Sequence, residues 1–154
     1  MQTAKSAHTK NSSQVADELM HLLADTYLLQ VKTQNFHWNV TGPLFHTLHK
    51  LFEEQYNELA ASVDEIAERI RALGVFTPAS FSHFSKLSSL KEENGTPKAH
   101  DMLKQLADDN ETLIAHINLM MNKAESAKDE GTVDLLVQRL RAHQKAAWML
   151  RSSL

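Results

Sequence analysis

No cysteine occurs anywhere in the 154 residues. A disulfide framework, a thiolate zinc site, an iron–sulfur cluster and a cysteine nucleophile are all excluded by that absence. Proline and glycine are scarce, at three and four residues, and they cluster at Gly42-Pro43, Gly74, Pro78, Gly95, Pro97 and Gly131. The long uninterrupted stretches between them argue for an all-α chain. No apolar run reaches the roughly 18 residues that a membrane span needs, and nothing at the start reads as a signal peptide. No membrane partner is therefore expected, and the cytoplasm is the expected compartment. An excess of basic charge is missing too: 16 Lys+Arg against 19 Asp+Glu leave a net charge of −3. A chain that coats nucleic acid with its whole surface is excluded, and any polyanion contact must come from a local patch.

What remains is a chain of ordinary composition, 42% apolar and 23% charged, long enough to bury one core without staples. Residues 1–12 carry Lys5 and Lys10 and no acid, which reads as a flexible basic N-terminal tail preceding a domain over 13–154. From Ser13 a helical period begins: Val15, Leu19, Leu22 and Leu23 recur on one face until about Val40, and Thr41-Gly42-Pro43 stops it. A second helix is predicted from Phe45 to Leu73, with Leu48, Phe52, Leu59, Val63, Ile66, Ile70 and Leu73 inward and Gly74 as its stop. Residues 74–96 hold no sustained pattern, and a connection of that length should contain a short helix around Ser80–Leu87. Thr96-Pro97 reads as an N-cap followed by proline at the first helical position of a third helix, with Ala99, Leu103, Leu106, Leu113, Ile117 and Met120 inward. After the corner Lys128-Asp129-Glu130-Gly131, a fourth helix turns Val133, Leu136, Leu140, Ala147 and Leu150 to the core. The connections run short, long, short. Two helical hairpins joined by one long crossover make the ferritin-like variant of the four-helix bundle.

Nine histidines are many for this length, and some of them fall into a pattern with carboxylates. On the second helix His49 and Glu53 are four apart, and so are Asp64 and Glu68, the spacing that puts two side chains on one face. At about 100° per residue the four lie at roughly 0°, 40°, 60° and 100°, about 130° away from the mean direction of the apolar positions. They form a stripe that does not point into the bundle. His37 lies at the end of the first helix, just before the tight turn, and His46 also falls on the stripe, where a surface or supporting role suits it.

Distance adds a second constraint. His49 and Glu68 are about 28 Å apart along the helix, and Glu53 and Asp64 about 16 Å. One centre cannot use both pairs from one chain. An antiparallel two-fold mate would set His49/Glu53 of one copy against Asp64/Glu68 of the other, giving two identical intersubunit sites, with the small Ala60 and Ala61 near the axis. Imidazole with several carboxylates suits iron, manganese or zinc. Any one such pair, taken alone, is ordinarily solvated helix surface. Glu18-x-x-His21 matches half of the di-iron pattern found inside bundles, but no second copy of that motif exists, so it reads as chance. His8, His21, His83, His100, His116 and His143 have no assignable partner and are expected at the surface or the core edge.

Taken together, His37-Trp38-Asn39-Val40-Thr41-Gly42, Phe45-His46-Thr47-Leu48-His49, Phe52-Glu53 and Asp64-Glu65-Ile66-Ala67-Glu68-Arg69 closely resemble the Dps family, the mini-ferritins named as DNA-binding proteins from starved cells. The resemblance covers residues 13–154. It implies a twelve-subunit shell with a ferroxidase site at each two-fold interface, built from His37, His49 and Glu53 of one chain and Asp64 and Glu68 of its mate. The family carries Asp or Glu at the position of Glu53. The implied activity is oxidation of Fe(II) to Fe(III) at two iron positions per site, with hydrogen peroxide or dioxygen as acceptor, and storage of the ferric mineral. The resemblance further suggests Trp38 and Tyr56 as electron donors, and Asp129, Glu130 and Asp134 as the lining of iron-entry pores, although acids also suit a helix N-terminus for its own sake. Stress-induced compaction of DNA, bound without sequence preference through Lys5 and Lys10, is the alternative function, with a nucleoid location if DNA is bound. A helical interaction module without metal is a third reading, which the spacing of the five ligand candidates disfavours.

Overall fold

A computed structural model describes the backbone of residues 2–154 and the side chains of residues 13–154. Where the sequence reading has a flexible tail over 1–12 and a helix from Ser13, the backbone of residues 2–12 is helical and continuous with the rest of the first helix; the side chains there, Lys5 and Lys10 among them, lie outside the described residues. Five helices follow in order: α1 (Gln2–Asn39), α2 (Phe45–Ala72), α3 (Phe81–Leu87), α4 (Ala99–Ser126) and α5 (Glu130–Arg151). No strand occurs among the described residues. The fold is all-α and ferritin-like. α1 pairs with α2 and α4 with α5 as two antiparallel hairpins, α1 also packs on α4, and the crossover lays α3 back on α1.

Short-range chemistry sets most of the ends. Gly42 has φ +106°, a left-handed conformation that a side chain would strain. A Cβ there would meet nothing within 4 Å, so the glycine is needed for its backbone alone. The turn lets the Val40 N–H close α1 on the Phe36 carbonyl while the Leu48 N–H opens α2 on the Leu44 carbonyl. Ser80 caps α3 by accepting the His83 N–H, and Asp129 caps α5 by accepting the Thr132 N–H. The start of α4 differs from the sequence reading. Lys98, not Thr96, occupies the N-cap, and its extended backbone (φ −69°, ψ 157°) keeps Pro97 outside the helix. The proline ring fixes an extended approach here rather than a first turn.

The core is one continuous cluster in which Leu19, Leu22, Leu23 and Phe36 of α1 meet Leu48, Phe52, Ile66 and Ile70 of α2, Leu106, Leu113 and Ile117 of α4, and Leu136 and Leu150 of α5. Val63, Leu73, Ala99, Val133 and Leu140, expected inward, are only partly buried against it. The crossover is anchored by polar contacts. Asp25, 1% exposed, accepts hydrogen bonds from Ser88 Oγ (2.7 Å), the Ser89 backbone N–H (2.7 Å) and Ser89 Oγ (2.9 Å). His21 donates Nδ1–H to the Leu87 carbonyl (2.9 Å), His116 Nδ1 lies 3.6 Å from Asp25 Oδ2, and Tyr27 stacks on Phe84 at 4.7 Å.

α5 departs from expectation in its middle. Its buried positions are Thr132, Leu136, Arg139, His143, Ala147 and Leu150, a regular helical face that carries two ionisable residues. His143, expected at the surface or core edge, is 1% exposed. Its Nδ1–H donates to Asn110 Oδ1 (2.8 Å), and Asn110 in turn donates to the Leu106 carbonyl (2.8 Å). Arg139 reaches across the bundle to Glu58 of α2 in a two-pronged ion pair. Burial, with the Arg139 charge beside it, pushes the His143 pKa down to about 3.

That shift predicts an acid sensitivity. Unfolded, His143 takes up a proton near pH 6.5; folded, it stays neutral down to about 3. Its contribution to stability is complete above pH 6.5 and declines as the pH falls through that window, by about 1.4 kcal/mol per pH unit. Urea midpoints measured at pH 7.5 and pH 5 should therefore fall more steeply for the parent protein than for His143→Gln. Parallel slopes would show that the histidine is not held neutral.

Candidate metal centre

The tight turn at Gly42 brings the last turn of α1 level with the first turns of α2, and so His37 against His49. Their rings stack with centroids 3.9 Å apart and planes 14° from parallel. His37 Nδ1 lies 2.7 Å from the His49 carbonyl, and His49 Nδ1 lies 2.7 Å from the His37 carbonyl. A carbonyl only accepts, so each Nδ1 carries a proton, which leaves Nε2 as the nitrogen that can bind a metal. This is the tautomer that a metal-binding imidazole uses, with its other nitrogen tied to a fixed acceptor. His37 is 7% exposed. Tyr56 meets its ring edge-on at 5.2 Å, and Phe45 stacks on the ring of His49 at 5.1 Å.

The carboxylates of the stripe stand elsewhere. Glu53, Asp64 and Glu68 are all exposed on α2, because its buried positions, Leu48, Leu51, Phe52, Leu59, Ser62, Ile66 and Ile70, turn the opposite side to the core. Among the described residues no group of three histidines or acids converges within one chain. Two imidazoles are brought together, then, and the carboxylates that would complete a site are not. His46 is exposed, as is Trp38 at 66%.

The acidic corner divides its three residues. Asp129 is committed: it caps α5, accepts from Thr132 Oγ1 (2.6 Å) and pairs with Arg69 Nη2 (2.5 Å). Burial alone would raise its carboxyl, but the hydrogen bonds from Thr132 and the Arg69 charge outweigh it and hold the group below the ordinary carboxylate range. Arg69 follows Glu68 directly and also donates Nε–H to Thr132 Oγ1 (3.0 Å), so the corner is joined to the C-terminal end of α2. The guanidinium lies over Gly131, where a Cβ would come within 3.0 Å of its carbon. Glu130 and Asp134 are exposed, the latter accepting a hydrogen bond from Gln138 (2.9 Å).

Two features escaped the sequence reading. The reciprocal His37–His49 bonds depend on turn geometry, for which Gly42-Pro43 was the one available sign. The ion pair of Arg69 with Asp129 spans two distant segments and leaves no local pattern.

The ferritin-like domain family matches residues 16–154. The chain is 39% identical over 143 residues to DNA protection during starvation protein 2 of Bacillus anthracis, spanning 93% of this chain and 98% of that protein. The chain belongs to the Dps family. Dps from Thermosynechococcus elongatus superposes with a TM-score of 0.91 at 31% identity, covering 95% of this chain and 93% of the other. A Dps protein from Vibrio cholerae superposes with a TM-score of 0.90 at 33% identity, covering 94% and 91% respectively, and is described as a member of a broad superfamily of ferritin-like diiron-carboxylate proteins. In this Dps chain, no described helix is long and apolar enough to cross a membrane.

The corner yields a stability prediction. Asp129→Ala removes a helix cap and leaves the part-buried Arg69 without its carboxylate. It should cost about 2 kcal/mol in urea unfolding, whereas Asp134→Ala, on the exposed face of the same helix, should cost less than about 0.5 kcal/mol. Equal costs would remove Asp129 from its structural role.

Proposed function

We propose that this Dps-family chain binds Fe(II) at sites shared between two copies, oxidises it, and retains the ferric product, so that iron and peroxide are withdrawn from the chemistry that damages DNA. The observation that carries this reading is the histidine pair. Two imidazoles, each donating Nδ1–H to the other's backbone carbonyl, keep Nε2 as the nitrogen that can bind a metal, and His49 stands on the helix that also bears Glu53, Asp64 and Glu68. Nitrogen with carboxylate oxygen and no sulfur is a donor set that fits Fe(II).

In one antiparallel register of α2 with a second copy, Glu68 stands level with His49 and Asp64 level with Glu53. Each site then takes His37, His49 and Glu53 from one chain and Asp64 and Glu68 from the other. The reading has two iron positions per site and a homo-oligomer assembled from two-fold dimers, as a dodecamer. Two Fe(II) supply the two electrons that reduce one hydrogen peroxide, with two protons, to two waters, which avoids the one-electron route to hydroxyl radical. Dioxygen is the other acceptor in the same reading. The chain's contribution is to hold two substrate ions side by side and to confine the product. Tyr56, edge-on to His37, is the better placed of the two suggested electron donors, while Trp38 lies at the surface. Entry past the corner before α5 falls to Glu130 and Asp134, with Asp129 already engaged by Arg69.

Co-expression of two defective chains tests the sharing directly. His49→Ala and Glu68→Ala each leave every site incomplete in a pure assembly. Random pairing makes half of the dimers mixed, and each mixed dimer regains one of its two sites, so about a quarter of the parent's peroxide-dependent ferric absorbance should return. A mixed assembly no faster than the two variants measured separately would exclude a site shared in this way.

A further inference from the structure

The two histidines are not held equally. His37 is buried, with the ring of His49 on one side and the edge of Tyr56 beside it. His49 is only half-buried. Its polar anchor is a single Nδ1–H bond to the His37 carbonyl, and one hydrogen bond at a half-exposed ring is worth only about 1 kcal/mol, so the ring can still swing out of that orientation. Swinging would matter, because the Nε2 lone pair lies in the ring plane and a metal ion is taken in that plane alone. One face of His49 rests on His37; Phe45 stacks on the ring as well, at 5.1 Å and 25°.

Phe45 is well placed to hold a ring still. It is the first residue of α2, one turn before His49, and its backbone N–H donates to the Gly42 carbonyl (3.0 Å). The tight turn thus sets its backbone, and the stack sets its ring. Yet Phe45 belongs to no part of the core cluster and is 43% exposed. A large apolar side chain at that exposure gains little from burial; what it contributes is a flat surface against an imidazole.

We propose that Phe45 is a positioning residue for metal capture: its ring, together with that of His37, clamps His49 so that Nε2 is directed at the ion before the ion arrives. The inference rests on the reading of His37 and His49 as ligands. Preorganisation of this kind acts on affinity, since an ion binding to an unclamped ring must first arrest it. Loss of a group that orients a metal-binding histidine typically costs about 10- to 100-fold in affinity. The requirement is for a planar face, so tyrosine should serve and leucine, of similar bulk, should not.

The test uses Co(II) added without oxygen to the purified, assembled protein, followed by calorimetry and by the visible d–d absorption of the bound ion. Phe45→Ala and Phe45→Leu should each weaken binding at least about tenfold and change the absorption bands. Phe45→Tyr should restore both, with helix content and assembly size unchanged in all three. If Phe45→Leu gives the parent's affinity and bands, bulk alone suffices and the clamp is wrong; should Phe45→Ala fail to assemble, the leucine and tyrosine proteins still decide. His49→Ala separates the two layers of the argument. Lost binding in His49→Ala with parental binding in Phe45→Ala overturns the clamp and leaves the ligands standing. Parental binding in His49→Ala overturns the ligand reading, and the clamp with it.

Discussion

One helix has to satisfy two demands at once, and the rest of the molecule is arranged around the outcome. α2 buries Leu48, Phe52, Ile66 and Ile70 in the core, and that burial, about 1.5–3 kcal/mol for each large side chain, fixes the rotation of the helix. With the rotation fixed, Glu53, Asp64 and Glu68 must face outward. Asp64 and Glu68, about 22 Å or more along α2 from His49, cannot then reach His37 and His49 of the same bundle. On the function proposed above, the chemistry of the stripe is a matter between chains, because the hydrophobic effect has already decided which side of α2 is inside.

The buried polar interactions sit where one element is joined to another. Asp25 gathers the crossover onto α1 through three hydrogen bonds. Asp129 gathers the α4–α5 corner onto the end of α2. Arg139, His143 and Asn110 tie α5 to α4 and to Glu58 of α2 across the middle of the bundle, where α2 and α5 otherwise meet only thinly. Buried polar groups with matched partners specify one arrangement among several that a greasy core would tolerate.

Much of this was legible beforehand, because helices announce themselves by period. The ends of α2 and α3 fell within a residue of expectation, since glycine and serine act locally there. α4 began two residues later than Thr96-Pro97 suggested, since a proline's fixed φ suits an extended approach as well as a first turn. The face of α5 was right at Leu136, Ala147 and Leu150 and incomplete between them: Arg139 and His143 also stand on the buried side, and nothing in a single sequence says that Asn110 and Glu58 wait there to receive them. The stripe on α2 could be read as a stripe because angle and rise are properties of any helix. The locking of His37 to His49 could not, because it depends on how tightly one turn closes.

The contact of Arg69 with Gly131 ties together two places far apart in the chain. A Cβ at 131 would stand 3.0 Å from the guanidinium carbon, so the Arg69 side chain would have to give by a few tenths of an ångström beside the residue that it grips, Asp129, and the glycine is thus used for proximity rather than for an unusual backbone angle. The two positions have in effect a common fate: a methyl group gained at one is accommodated when the other shortens.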